Sequence, residues 1–153
     1  MKNQLRRISV VTGLSFILFF SPFVNVSFAQ GINDLPNLYK KANGHFMLGE
    51  YHQAIDIYDE ILEISPTSEK TSLMKGIALS NIERHKSSIL EFYNVNQQNP
   101  QNIIALIGLG VGFGNYGEYK QALTYFEQAY DLAPENHVVK NYYEFATKTV
   151  KKY

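Results

Sequence analysis

The sequence has no cysteine and no tryptophan among its 153 residues, and only 18% of them are charged. The missing cysteine excludes disulfides, a thiolate nucleophile, a Cys-type zinc site and lipid attachment at a lipobox. Stability must then come from packing alone, and a chain of this size can bury roughly two thirds of its surface on folding. Acidic and basic residues balance at fourteen each. No field of one sign is therefore available to draw in nucleic acid or an anionic membrane surface. Proline is scarce, at five residues, and three of the five recur at a fixed interval: Pro66, Pro100 and Pro134 stand 34 residues apart.

Long apolar runs are also absent, with one exception near the start. Lys2, Arg6 and Arg7 precede an apolar stretch over Ile8–Phe20, Pro22 and Asn25 break it, and Ser27-Phe28-Ala29 puts small residues before Gln30. This layout predicts a secretory signal peptide over 1–29, cleaved after Ala29. The run is short of the ~20 residues that span a bilayer core; the alternative is an uncleaved membrane anchor. Three of the basic residues lie in this segment, which leaves eleven against fourteen acidic ones and a net charge of −3 over 30–153. The remainder holds no Asn-x-Ser/Thr sequon. Export to the periplasm or secretion from a bacterial envelope is the expectation.

Each of the three prolines closes a copy of one pattern. Leu48–Pro66 (LGEYHQAIDIYDEILEISP) and Tyr116–Pro134 (YGEYKQALTYFEQAYDLAP) align without a gap, and Ile82–Pro100 keeps the spacing with more changes. A 34-residue period containing a helix, a tight turn and a second helix marks a helical repeat array. Small residues recur in helix A (Ala42, Gly76, Gly110) and early in helix B (Ala54, Ser88, Ala122), so that the paired axes approach closely. Tyr58, Phe92 and Phe126, then Ile61, Val95 and Ala129, fill the space beside them. Leu48, Ile82 and Tyr116 are expected to close the ends of the A helices. Gly49 and Gly117 occupy the A–B turn, where positive φ is common, and Glu83 stands there in the middle copy. Asp34, Ser68 and Asn102 are the expected N-caps of the A helices, with Asp34 and Pro36 opening the first.

These residues resemble the tetratricopeptide repeat family. The match is strongest at Gly49-Glu50-Tyr51, Ala54, Tyr58 and Pro66, and at Gly110, Gly117-Glu118-Tyr119, Ala122, Phe126, Ala129 and Pro134. The middle copy rests on Gly76, Phe92 and Pro100. Lys41, His45, Ser72 and Ser88 depart from the family pattern. The organisation expected is a short N-terminal lead over 30–34, repeats over 35–68, 69–102 and 103–136, and a capping helix over 137–153. The resemblance implies an all-α, right-handed solenoid of three helix–turn–helix repeats plus that cap. It also implies a concave groove, lined by the A helices, that holds peptides or partner proteins.

Little in the sequence supports chemistry. Gly112-Phe-Gly114-Asn-Tyr-Gly117 matches G-x-G-x-x-G, but the repeat register places it at a helix end and across the A–B turn, with no strand before it. His45, His52, His85 and His137 form no i, i+3 or i+4 pair, so no metal site is expected; His45 reads as a partly buried ring between helices. No serine sits in a G-x-S-x-G elbow. Asp56, Asp59, Glu60 and Glu63 are expected mostly on the solvated face of their helix. No catalytic residue and no cofactor are predicted.

The register names the groove: Tyr39, Asn43 and Phe46 in the first repeat; Leu73, Ile77 and Ser80 in the second; Ile104, Ile107, Val111 and Gly114 in the third; Asn141 and Phe145 in the cap. This row is apolar and nearly uncharged. Some family members grip a C-terminal carboxylate with basic and amide side chains. Tyr39, Ile77, Ile104 and Gly108 stand at the corresponding positions here and leave Asn43 as the one match. Gly108, Gly110, Gly112 and Gly114 alternate along one A helix; Gly108 and Gly114 are expected at the groove or its edge. Lys140, Lys148, Lys151 and Lys152 suit a helix C-terminus. The expected function is an exported, non-enzymatic interaction module that takes an apolar peptide or helix. The alternative is a self-associating scaffold component of the cell envelope that uses the same apolar row.

Overall fold

The computed structural model describes residues 22–152, with side chains from Ile32 onward, so most of the segment read as a signal lies outside the described residues. Seven α-helices follow one another with no strand among the described residues: α1 (Pro22–Met47), α2 (Tyr51–Ile64), α3 (Glu69–Asn81), α4 (His85–Gln98), α5 (Ile103–Tyr116), α6 (Tyr119–Leu132) and α7 (His137–Val150). From α2 onward the starts of alternate helices recur at 34-residue intervals. Each helix packs on the next in chain order, and α3 also touches α5. The result is a helical solenoid of antiparallel pairs, α1–α2, α3–α4 and α5–α6, followed by α7.

One turn geometry serves all three pairs. The amides of Glu50, Arg84 and Glu118 donate to the carbonyls of His45, Leu79 and Phe113, each at 2.9 Å. The residue before each of these amides is left-handed: Gly49 at φ 77°, Glu83 at 60° and Gly117 at 93°. This is the Schellman closure, which satisfies the orphan carbonyls of the ending helix. The middle turn makes it without glycine and carries the steric cost of a Cβ in that region.

The expected small residues are buried. Ala42, Ala54 and Ser88 are at most 1% exposed, and Ser88 donates its hydroxyl to the Gly76 carbonyl at 3.0 Å, so the departure from alanine leaves no unpaired polar group. Tyr58, Ile61, Phe92, Val95, Phe126 and Ala129 fill the core as expected. Ser68 and Asn102 cap α3 and α5, their side chains accepting from the amides of Thr71 and Ala105, and Asn136 caps α7 in the same way.

Two expectations fail. Asp34 is not an N-cap, because α1 runs through it from Pro22 with Pro36 inside the helix. The missing amide of Pro36 deprives only the Ile32 carbonyl, and both residues are exposed, so water can satisfy it. Leu48 and Tyr116 do not close their helices; they are exposed beside the turns, and of the three only Ile82 packs inward. Their side chains leave the helix where the chain is already reversing; the Tyr116 ring lies under Lys86 Nζ of α4, 5.3 Å from its centre.

Candidate functional site

α5 lies between α4 and α6, and its glycines serve both neighbours. Gly108 and Gly112, four residues apart, share the face toward α4. A Cβ on Gly108 would stand 2.6 Å from three carbons of the Phe92 ring, and one on Gly112 would stand 2.6 Å from Ile89 Cγ1. Gly110 faces α6, where a Cβ would meet the Phe126 ring at 2.5 Å. Real carbon contacts lie near 3.5–4.0 Å, so these three positions require bare backbone. Gly108 is therefore a seat for Phe92 and does not face the groove, contrary to expectation. Gly114 differs: its Cβ would reach only Ala122, at an ordinary 3.8 Å, and it lines an open cleft.

One period after Gly108 stands Tyr142, and one period after Phe92 stands Phe126. At the first contact the ring rests directly on helix backbone. At the second, Tyr142 stacks on Phe126 with ring centroids 5.2 Å apart and planes 9° from parallel. A cleft of about 730 Å³ remains between α5 and α7, with Phe126 and Ala122 of α6 as its floor. Val111, Gly114 and Asn115 form the α5 side; Phe145, Lys148 and Thr149 belong to the α7 side. Phe145 is 70% exposed.

α7 itself is held by Val139 and Ala146, both buried, and by Tyr143 stacked on Tyr130 at 4.9 Å. By the repeat register, the face of α7 that would receive another B helix carries His137, Lys140, Glu144 and Thr147, of which the first three are exposed. The exposed aromatic at Phe145 lies on the side of α7 toward the cleft.

The row read from the sequence divides along the solenoid. Tyr39 donates or accepts at Ser68 Oγ (2.8 Å) and Thr71 Oγ1 (2.7 Å), with Lys70 Nζ 5.3 Å above its ring. Asn43 accepts from the Tyr58 hydroxyl at 3.2 Å, and Phe46 packs against two core clusters and edge-on to Tyr51. The first repeat thus turns its share of the row to internal contacts. Leu73, Ile77, Ser80, Ile107 and Val111 are half-buried, and Ile107 and Val111 pack on the core. Ile104, Asn141 and Phe145 are exposed. Val111, Gly114 and Phe145 come together at the cleft, while Asn141 joins Phe145 and Val138 at a smaller hollow on α7.

Two features escaped the sequence reading. Lys148 is in the cleft, so the surface there is not uncharged. Lys75 bridges Asp59 of α2 at 2.7 Å and Glu91 of α4 at 2.6 Å, so Asp59 belongs to an ion triad and is not merely solvated. Burial works against the Lys75 charge, but the hydrogen bonds and attraction from Asp59 and Glu91 outweigh it and raise its pKa above the ordinary value. Burial likewise raises the Tyr58 hydroxyl, and burial together with the nearby Tyr93 raises Tyr125. The i, i+16 spacing of Lys75 and Glu91 carries no local signal, which is why only the packed helices reveal it. His45, half-buried as expected, pairs with Glu50 at 2.6 Å. Among the described residues no cluster of His, Cys, Asp or Glu could hold a metal, and no helix is long and apolar enough to cross a membrane. The glycine-rich G-x-G-x-x-G ends at the left-handed Gly117 that terminates α5, so its amides close a helix and form no phosphate cradle.

Comparison with known proteins agrees with this geometry. A family model described as tetratricopeptide repeat matches residues 113–136, which span the end of α5 and all of α6. The tetratricopeptide domain of Sgt2 from Aspergillus fumigatus superposes with a TM-score of 0.72 at 20% identity, over 78% of this chain and 80% of that one. The first such domain of Spaghetti (RPAP3), bound to the HSP90 peptide SRMEEVD, gives 0.73 at 18% identity, over 78% and 94%. A serine/threonine-protein phosphatase T of Trypanosoma brucei brucei is 24% identical over 131 residues, 80% of this chain. The chain spans only 26% of that phosphatase's length. Helix order, the 34-residue interval, the repeated turn closure and these likenesses converge: the fold is that of a tetratricopeptide-repeat solenoid.

Proposed function

We propose that the protein is a non-enzymatic interaction module that holds an apolar peptide or helix of a partner protein against the A-helix side of its solenoid. The observation that carries this reading is the open cleft between α5 and α7 with a 70%-exposed phenylalanine on its wall. Aromatic anchors in pockets dominate peptide capture. The solved solenoid bound to the HSP90 peptide SRMEEVD supports peptide binding as a use of this architecture. Of the positions where a carboxylate grip was sought, Ile77 and Ile104 carry aliphatic side chains, Tyr39 is bonded to Ser68 and Thr71, and Gly108 lies under Phe92, so a partner here is recognised chiefly by apolar contact. No grouping of nucleophile, base and oxyanion donors supports an enzymatic reading.

Ile104→Asp and Phe145→Asp test this. Both side chains are exposed, so both variants should keep their helical circular dichroism. Capture from the cell-envelope fraction should lose, with each variant, a partner that the wild-type protein retains. Undiminished capture by both would overturn the groove reading. Self-association through the same row is the competing use, and light scattering at micromolar concentration distinguishes it: a dimer abolished by Phe145→Asp would place a second copy in the groove. The polar outer face of α7 weighs against end-to-end stacking.

We further propose export, with cleavage after Ala29, on the strength of the basic start, the short apolar run and Ser27-Phe28-Ala29. N-terminal sequencing of the native protein should return Gln30. A chain that starts at Met1 and stays with the membrane after a carbonate wash would mean an anchor.

A further inference from the structure

The equal number of acids and bases conceals how the fold sorts them. In an array of antiparallel neighbours the turns after α1, α3 and α5 fall on one edge with the end of α7, and the turns after α2, α4 and α6 fall on the other. The first edge is continuous. Phe46 and Tyr51 of its first turn share a cluster with Ile82 of the second. Lys86 Nζ of the second lies 5.3 Å over the Tyr116 ring of the third, and Asn115 of the third lines the same cleft as Thr149 of α7. Arg84, Lys86, Lys120, Lys148 and Lys151 stand on this edge against Glu50, Glu83 and Glu118. Glu50 is engaged by His45 at 2.6 Å, and Glu144 stands one turn before Lys148. The opposite edge reverses the sign, with Glu63, Glu69, Asp131 and Glu135 against Lys70.

The basic edge also carries the most exposed large apolar side chains among the described residues. Met47, 83% exposed, and Leu48, 75%, adjoin at the first turn, and Tyr116, 49%, stands at the third. Repeat packing does not ask for the first pair: one period later stand Asn81 and Ile82, and Ile82 packs inward. The backbone of the first turn is closed on itself. The amides of Leu48, Gly49 and Glu50 donate to carbonyls at the end of α1, at 3.2, 3.0 and 2.9 Å. This tip can therefore leave water without stranding an amide.

We propose that the edge formed by the A–B turns docks on the surface of an anionic lipid bilayer. Met47 and Leu48 enter the boundary between headgroups and acyl chains, and Arg84, Lys86 and Lys120 meet the lipid phosphates. Tyr116 beside Lys86 sets an amphipathic ring next to a cation, which suits a boundary that is apolar on one side and wet on the other. Such binding grows with the apolar area inserted and with the basic residues held near lipid charge, and it needs no spanning helix. Two aliphatic side chains at the tip of a turn need a partner that yields around them. A bilayer does so anywhere, and a folded protein only where it has a matching pocket.

The absence of cysteine allows one probe per molecule. His52→Cys and Gln101→Cys, both exposed and on opposite edges, would each carry the same polarity-sensitive dye on the intact protein. Vesicles are of phosphatidylcholine, alone or mixed equally with phosphatidylglycerol. The signal is read at the dye, so a hold on the membrane by the apolar run over Ile8–Phe20 does not imitate it. With mixed vesicles at low salt the emission at position 52 should shift to the blue and that at position 101 should not. Neutral vesicles should need at least about tenfold more lipid, a preference that added salt shrinks. In the His52→Cys protein, Met47→Ser combined with Leu48→Ser should raise the lipid midpoint at least about tenfold. Lys86→Glu should raise it at low salt. These side chains are exposed, and circular dichroism checks that the variants fold. Equal shifts at the two positions, no shift at position 52, or a midpoint indifferent to both the paired serines and Lys86→Glu overturns the inference. A shift at position 52 on concentrating the protein without lipid would assign the tip to a second copy and overturns it as well.

Discussion

Alanine at two glycines of the same helix should have opposite effects. Replacing glycine by alanine inside a helix gains about 1 kcal/mol from backbone entropy alone. At Gly114 the new methyl meets only Ala122 Cβ, at 3.8 Å. Gly114→Ala should therefore stabilise by about 0.5–1 kcal/mol. At Gly108 the methyl would lie 2.6 Å from three carbons of Phe92. That ring is 3% exposed, and a Cβ on Gly76 would likewise stand 3.0 Å from it, so it is confined between two glycine positions with little room to shift. Overpacking of a confined ring costs about 3 kcal/mol, the upper end of the usual range. Set against the gain in propensity, Gly108→Ala should lose about 2 kcal/mol. Urea unfolding followed by circular dichroism reads both variants. With a slope of about 2 kcal/mol per molar, the midpoint should fall by about 1 M for Gly108→Ala and rise by a few tenths for Gly114→Ala. If Gly108→Ala is as stable as the wild-type protein, then Phe92 does not need bare backbone at α5, and Gly108 is not its seat.

Glu83→Gly should stabilise by about 0.5–1 kcal/mol, because relief of the left-handed Cβ outweighs the extra unfolded-state freedom of glycine; thermal denaturation with no rise in midpoint would contradict this. Lys75→Met should destabilise by about 3 kcal/mol near neutral pH by leaving Glu91, 8% exposed, without its cation; chemical denaturation that finds it equal to the wild-type protein would remove the triad from the account of stability. The raised pKa values of Lys75 and Tyr58 fix the sign of the alkaline response. Their contributions are complete below the ordinary values of 10.5 and 10.0 and are lost as pH climbs through the higher folded values. Stability should fall above about pH 10, with Lys75→Met losing only the tyrosine part; a flat alkaline profile for the wild-type protein would contradict that.

The sequence alone determined the architecture, because repetition makes local and tertiary information the same. When Pro66, Pro100 and Pro134 share one interval, each helix boundary is stated three times, and the small residues at Ala42, Gly76 and Gly110 state the packing as well. The caps at Ser68 and Asn102 and the turns at Gly49 and Gly117 were legible for the same reason. Asp34 misled because the first helix has no preceding repeat to stop it. The tertiary structure decided what depends on comparing unlike neighbours. Gly108 is a buried seat because Phe92, far away in the chain, leans on it. Tyr39, Asn43 and Phe46 turn inward because Ser68, Thr71, Tyr58 and the second helix pair offer them partners. The cleft opens beside Tyr142 stacked on Phe126, a pairing between helices that only the folded chain shows. Periodicity predicts what repeats; a site is built where the repeat departs from itself, and the size of that departure is set by side chains meeting in space.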